Sequence, residues 1–115
     1  IIKDNKDFEV AFTKGVFDTD GCVLTRDNKF TVNYPNIVLG SRSRKLILEI
    51  NKTLGALGLN VRLTQHLDRG KLHYTVRLYG FKQLSLFNSR VGFLNPYKAQ
   101  KAMKIQRDGP IRAGS

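Results

Sequence analysis

Cysteine, long apolar runs and acidic residues are all scarce in this 115-residue chain. The single cysteine, Cys22, excludes an internal disulfide and a zinc site built from several cysteines. No apolar run approaches the ~20 residues that a membrane-spanning helix needs, and the charged first residues do not form a secretory signal. We therefore expect a cytoplasmic (intracellular) protein with no membrane partner.

Acidic residues number 9 against 20 lysines and arginines, which gives a formal net charge of +11. Such an excess favours a polyanionic partner. The basic residues are spread along the whole chain rather than gathered on one amphipathic helix, which argues against a membrane surface. The length and the hydrophobic content of 41% predict one packed domain, placed at residues 1–106, and a flexible C-terminal tail at 107–115.

Hydrophobic spacing and turn residues predict the order helix, hairpin, helix, hairpin, helix, helix. The predicted helices cover residues 7–18, 41–57, 81–87 and 96–105, and the predicted strands cover 22–26, 29–39, 60–66 and 71–79. Pro35 interrupts the second strand, so we expect an edge, a bend or a bulge there. The fold class is therefore α+β, with a four-stranded antiparallel sheet that carries helices on one face.

The two faces of the second hairpin differ in polarity, because apolar residues alternate there with basic and hydroxyl residues. A basic sheet face can enter the major groove of a DNA duplex, although an ordinary solvated face shows the same alternation. His66 is expected to contact DNA or solvent rather than to act in catalysis. The residues predicted to contact DNA are Arg26, Lys29, Arg42, Arg62, Thr64, Lys71, His73, Thr75 and Arg77.

The end of the first predicted helix, residues 13–21, reads TKGVFDTDG. This segment resembles the signature of the LAGLIDADG homing endonucleases, and the order of elements resembles the αββαββα domain of that family. Residues 41–47 resemble the family's second helix, and residues 91–98 resemble the loop that supplies a basic active-site residue. The positions identical to the signature are Gly15, Asp18, Asp20 and Gly21, and those that depart from it are Thr13, Lys14 and Thr19.

The resemblance implies a site-specific endonuclease that cleaves double-stranded DNA with Mg²⁺. By the family pattern Asp20 is the direct metal ligand, the Gly21 backbone lies beside the ion, and Asp18 is mainly structural. Lys98 is expected to stabilise negative charge or position water, although it could be a solvated helix lysine. Ser41 is expected to orient water, and a plain helix N-cap fits it equally well.

The chain carries one copy of the motif, whereas cleavage of both strands needs a second acidic residue. We therefore expect a homodimer, and the resemblance implies that its two motif helices pack through small residues, which brings the two Asp20 carboxylates together. The predicted dimer interface consists of Phe8, Ala11, Phe12, Gly15, Val16 and Thr19.

Three other interpretations stay open. A non-cleaving relative of the family would bind DNA or RNA as a maturase or a regulator. The chain could also be the endonuclease domain of an intein or half of a two-motif monomer, which its start at Ile1 would fit. An unrelated RNA-binding α+β domain would need aromatic residues on the exposed sheet face. The main hypothesis places the protein in intron or intein mobility.

Overall fold

The computed structural model describes residues 5–26, 31–32 and 34–112, with side chains described at 7–25 and 34–110. Within these residues the chain folds as predicted into an α+β domain with an αββαββα core. The elements are α1 (Asn5–Asp20), β1 (Gly21–Arg26), β2 (Thr31–Val32), β3 (Tyr34–Ser41), α2 (Arg44–Ala56), β4 (Arg62–Asp68), β5 (Lys71–Tyr79), α3 (Gly80–Arg90), α4 (Pro96–Asp108) and β6 (Ile111–Arg112).

Four of the strands form one antiparallel sheet in the order β1-β3-β5-β4. One row across this sheet joins Gly21, Leu39, Val76 and Leu63, and it marks the face that the helices cover. Neighbouring residues on each strand point to the opposite face. A separate two-stranded ladder joins Thr31–Val32 to Ile111–Arg112.

The core lies between this sheet face and the helices. Phe87 of α3 stands at its centre, with its ring centroid 5.0 Å from Phe17 of α1 and 5.1 Å from Phe93. These contacts attach the end of the motif helix to the rest of the domain. The other buried hydrophobic residues are Val23, Ile37, Leu39, Ile47, Ile50, Leu54, Leu59, Val76, Leu78, Leu84, Val91, Ala102 and Ile105.

The motif helix is longer than the predicted 7–18, since α1 continues to Asp20. It ends abruptly because Gly21 begins β1 pressed against the preceding turn. A Cβ on Gly21 would lie 2.6 Å from Cδ1 of Phe17 and 2.8 Å from the Phe17 carbonyl oxygen. Only glycine therefore fits at this position, and Asp20 becomes the last residue of the helix.

Pro35 does not lie on an edge strand, because β3 is flanked by β1 and β5. Pro35 lies opposite Thr25 of β1, but pairing with β5 begins only at Asn36. The missing N–H therefore falls at the end of the ladder, where it removes no hydrogen bond to β5. The turn predicted at residues 27–28 lies outside the described residues.

The remaining boundaries follow local capping and turn chemistry. The Oγ of Ser43 accepts a hydrogen bond from Leu46 N at 3.2 Å and caps α2, while Ser41 belongs to β3. Arg69 and Gly70 have φ angles of 52° and 79°, which matches a two-residue type I′ turn between β4 and β5. The hairpin is thus tighter than the predicted three-residue turn.

The last helix begins as predicted. Asn95 caps α4, since its Oδ1 accepts hydrogen bonds from Tyr97 N at 2.9 Å and Lys98 N at 3.2 Å, with Pro96 in the first turn. The helix continues to Asp108, so it includes two residues of the segment predicted as a tail. None of the helices in the described part of the chain is both long and apolar enough to cross a bilayer.

Candidate nucleic-acid interface and metal site

The two carboxylates of the motif have different surroundings. Asp18 is half-buried, and its Oδ1 accepts a hydrogen bond from the backbone N–H of Asn95 at 2.5 Å. This contact places the carboxylate at the N-terminus of α4, where free N–H groups and the helix dipole favour negative charge. Asp20 is exposed, and its carboxylate has no hydrogen-bond or ion-pair partner among the described residues. Asp20 is therefore the carboxylate of the motif that is free to bind a ligand.

Lys98 lies in the first turn of α4, close to the point where this helix meets the end of α1. Its Nζ donates a hydrogen bond to the carbonyl oxygen of Asp18 at 2.6 Å and lies 3.4 and 3.5 Å from those of Phe17 and Thr19. A cation on the last carbonyl groups of a helix neutralises its partial negative charge. Lys98 is thus not a solvated helix lysine, because its amine is bonded to the carbonyl groups at the end of α1.

Asp18 and Lys98 together connect the end of α1 to the start of α4 by two reciprocal contacts. The carboxylate from α1 binds the N-terminus of α4, and the amine from α4 binds the C-terminus of α1. The pair fixes the last turn of α1, from which Asp20 projects. A role of Lys98 in catalysis stays a prediction.

Ser41 is placed at the same end of the sheet as Asp20, because Gly21 pairs with Leu39 two residues earlier in β3. It lies opposite Tyr74, on the sheet face that the helices cover. Its Oγ accepts a hydrogen bond from Ser43 N at 3.0 Å. This geometry supports a role in starting α2, and the predicted role in orienting water stays a prediction.

A single domain offers few ligands for a metal ion. Across residues 5–26, 31–32 and 34–112 no group of three His, Cys, Asp or Glu side chains is placed to hold one. Mg²⁺ prefers oxygen ligands and is usually bound through one or two carboxylates together with substrate phosphates and waters. The exposed carboxylate of Asp20 fits part of such a site.

One face of α1 carries apolar and small residues that are partly or largely exposed in this domain, where Phe8 and Phe12 line a depression beside α2. Phe8 is 70% exposed and Phe12 is 44% exposed, and Ala11 and Thr19 are also exposed. A Cβ built on Gly15 would have no atom within 4 Å. Val16 differs from the other predicted interface residues, since its side chain packs partly against the core of its own domain.

The sheet face opposite the helices carries the predicted DNA-contacting residues of β4 and β5, and we call it the basic face. Its rows pair Arg62 with Arg77, Thr64 with Thr75, His66 with His73 and Asp68 with Lys71 across β4 and β5. The two imidazole rings lie 5.2 Å apart. Neither Arg62 nor Arg77 forms an ion pair within the described part of the chain. Like charges placed opposite each other destabilise a sheet, so this arrangement suits a polyanion.

The structure sorts the predicted DNA contacts by their exposure. Thr75 is only 4% exposed between Thr64 and Gly40, so little of its surface is accessible to DNA, and its role as a DNA contact stays a prediction. The side chain of Arg26 and the whole of Lys29 lie outside the described residues. The remaining predicted residues keep accessible surface: Arg42, Arg62, Thr64 and Lys71 are exposed, and His73 and Arg77 are half-buried.

Sequence reasoning missed several residues at the end of the basic face. Tyr34, Tyr79 and Gln83 line a depression there together with Arg62 and Thr64. Tyr79 continues the alternation of Thr75 and Arg77, so its position was readable from the sequence. Gln83 belongs to α3, and the spacing of hydrophobic residues along the chain does not reveal that this helix borders the basic face.

Comparison with known proteins bears on this geometry. Residues 7–92 match the family model described as a LAGLIDADG-like domain. The chain belongs to the LAGLIDADG family. The match begins near the start of α1 and ends just after α3, so it includes the motif and the four-stranded sheet.

Solved LAGLIDADG structures share the fold. The homing endonuclease I-CvuI, solved with an I-CreI target in the presence of Mg and with the DNA not cleaved, superposes with a TM-score of 0.64 at 15% identity. That match covers 90% of this chain and 66% of the other. The LAGLIDADG meganuclease I-AabMI, bound to uncleaved DNA, gives a TM-score of 0.51 at 12% identity, covering 86% and 37%.

Two relatives at higher identity are much longer proteins. The replication factor C small subunit of Thermococcus kodakarensis is 25% identical over 95 residues, which is 83% of this chain and 10% of that protein. The replicative DNA helicase DnaB of Rhodothermus marinus is 24% identical over 107 residues, which is 91% of this chain and 11% of that protein. The chain thus spans about a tenth of the length of these relatives.

Proposed function

We propose that this LAGLIDADG domain is a homing endonuclease that binds double-stranded DNA and hydrolyses it as a homodimer, with Mg²⁺ held between two Asp20 carboxylates. The observation that carries the proposal is the last turn of α1. It presents a free carboxylate at Asp20, fixed by Asp18 and Lys98, at the end of a helix whose outer face is open.

DNA binding is supported by the chemistry of the basic face. Arg62 and Arg77 lie side by side without a carboxylate between them, and Lys71 adds a further positive charge near the hairpin turn, where it faces Asp68. DNA phosphates would remove the repulsion between the two arginines. A dimer would present two such faces and 11 + 11 = 22 formal positive charges, so affinity should fall steeply with salt.

The homodimer is supported by what one domain leaves incomplete. No packing contact inside the domain requires a glycine at position 15, since nothing occupies the space beside it. Phe8 and Phe12 also remain exposed on the same helix. Two copies of α1 packed through this face would bury the aromatic rings and bring the two helix ends together. Each subunit would then contribute one Asp20 to a shared pair of carboxylates.

Each residue at this site has a distinct role in the proposed reaction. Asp20 supplies a hard oxygen ligand from each subunit, and the Gly21 backbone lies next to it in the chain. A bound divalent ion would supply an activated water and charge stabilisation at the scissile phosphate. Lys98 keeps a positive charge beside the helix end, where the negative charge of the phosphate would develop.

Binding and cleavage assays on a pool of random duplexes test this proposal. The protein should enrich a subset of duplexes in Ca²⁺ and cut both strands of that subset in Mg²⁺, with EDTA abolishing cleavage. Enrichment without cleavage in Mg²⁺ or Mn²⁺ would favour a non-cleaving binding protein. Absence of any binding to duplex DNA at moderate salt would contradict both functions.

A second arrangement of the same function is favoured by the longer relatives. Segments of two different replication proteins resemble this domain, and each is about a tenth of its protein. An endonuclease domain carried inside a host protein, as in an intein, would give this pattern. The mass of the native gene product separates the two arrangements. A free-standing enzyme would have the mass of this domain alone, whereas a domain inside a host protein would be synthesised as part of a much larger chain.

A further inference from the structure

A depression of about 540 Å³ opens at the end of the basic face where β5 runs into α3. None of its lining side chains is a carboxylate. It offers one guanidinium group, two phenols, one hydroxyl and two amides, so hydrogen-bond donors predominate. The lining residues are Tyr34, Asn60, Arg62, Thr64, Tyr79 and Gln83.

Gln83 is held in one orientation. Its Oε1 accepts a hydrogen bond from the backbone N–H of Asn60 at 2.8 Å. A backbone N–H can only donate, so the amide oxygen must face Asn60 and the NH₂ group is the free end. A glutamine that reads adenine uses its oxygen and its nitrogen together. Gln83 can instead offer donors alone.

The wall of the depression is already packed in the free domain. Gly80 has a φ of 92°, and a Cβ at this residue would lie 2.9 Å from the hydroxyl oxygen of Tyr34. The phenol of Tyr34 therefore lies against the backbone at the junction of β5 and α3. Tyr79 lies across from Asn36 of β3 and is 39% exposed, so it keeps surface for a partner.

We propose that this depression is a specificity-determining subsite that reads a guanine in the major groove, and the proposal rests on the DNA binding proposed above. Guanine presents two adjacent acceptors, N7 and O6, on its major-groove edge. Arg62 can bind both acceptors, and the NH₂ group of Gln83 can donate to the same edge. Adenine and cytosine present amino groups there, which would oppose these donors.

The substitution Gln83→Glu tests the subsite with almost no change in shape. A glutamate still accepts the hydrogen bond from Asn60 N–H, but its free end becomes an acceptor. The measurement is the base composition of duplexes selected from a randomised pool in Ca²⁺. We expect the unaltered protein to require guanine at one position of each half-site, and Gln83→Glu to lower that preference about tenfold and to favour cytosine, whose amino group donates to carboxylates.

Two further variants make the outcome decisive. Arg62→Gln should lose the preference at the same base position, which also covers the case in which Gln83→Glu fails to fold. Gln100→Glu changes the net charge equally on an exposed residue of α4 and should leave the selected sequence unchanged.

A uniform loss of affinity over all sequences, with the guanine preference intact, would show that the depression contacts phosphates and would overturn the subsite alone. Selection by the unaltered protein without this guanine would overturn it as well. Failure of the unaltered protein to bind any duplex would overturn the proposed function and the subsite together.

Discussion

Gly15 lies inside α1, yet nothing within the domain requires a glycine there. Because no atom lies within 4 Å of the position of a Cβ, Gly15→Ala should raise the free energy of unfolding of one domain by about 1 kcal/mol. In the proposed dimer the same methyl group would lie between two closely packed helices. Overpacking of this kind costs about 1–3 kcal/mol, so dimer affinity should fall by about 5- to 150-fold.

The two effects have opposite signs and can be measured separately. Denaturant unfolding at the lowest protein concentrations reports the stability of the domain, and sedimentation equilibrium over a concentration series reports dimer dissociation. Gly55→Ala is the matched control, since Gly55 lies in α2 and also has no neighbour within 4 Å of a Cβ. The control should gain stability without a change in dimerisation. A Gly15→Ala protein that dimerises as tightly as the unaltered chain would refute packing through this residue.

Three other substitutions test separate parts of the account. Asp18→Ala removes the charged acceptor of the Asn95 N–H and should lower the free energy of unfolding by about 2 kcal/mol in denaturant titrations; a loss below about 0.5 would contradict the helix-junction role. Thr13→Val removes a buried hydroxyl without a described partner and should raise stability by about 1 kcal/mol, and a loss of stability would show that the hydroxyl is bonded. Arg77→Gln should weaken DNA binding at all sequences and reduce the salt dependence by about one phosphate contact, while Lys104→Gln on α4 should change neither; equal effects of the two would remove the basic face from the interface.

The order of elements could be predicted because the hydrophobic period changes clearly along the chain. Leu46, Ile47, Ile50 and Leu54 recur at helical spacing and line the buried side of α2. Strict alternation in β5 likewise separated the core face from the basic face. Local chemistry also located the start of α4, since an asparagine followed by proline both caps and begins a helix.

What escaped prediction depends on contacts between distant parts of the chain. The burial of Thr75 follows from its central strand, which alternation alone does not reveal. Pro35 suggested an edge strand, but its effect depends on where the ladder to β5 begins. The bonds of Lys98 to the end of α1 join residues about eighty positions apart, and only the folded chain brings them together.

The central claim is that Asp20 binds the catalytic metal while the rest of the domain binds DNA. The most direct measurement compares the unaltered protein with Asp20→Asn on duplexes selected by the unaltered protein, scoring binding in Ca²⁺ and strand cleavage in Mg²⁺. Asn is nearly the same size and Asp20 has no described partner, so folding and dimerisation should be unchanged. The account predicts binding within about threefold and no cleavage of either strand. Cleavage by Asp20→Asn at the rate of the unaltered protein would contradict it.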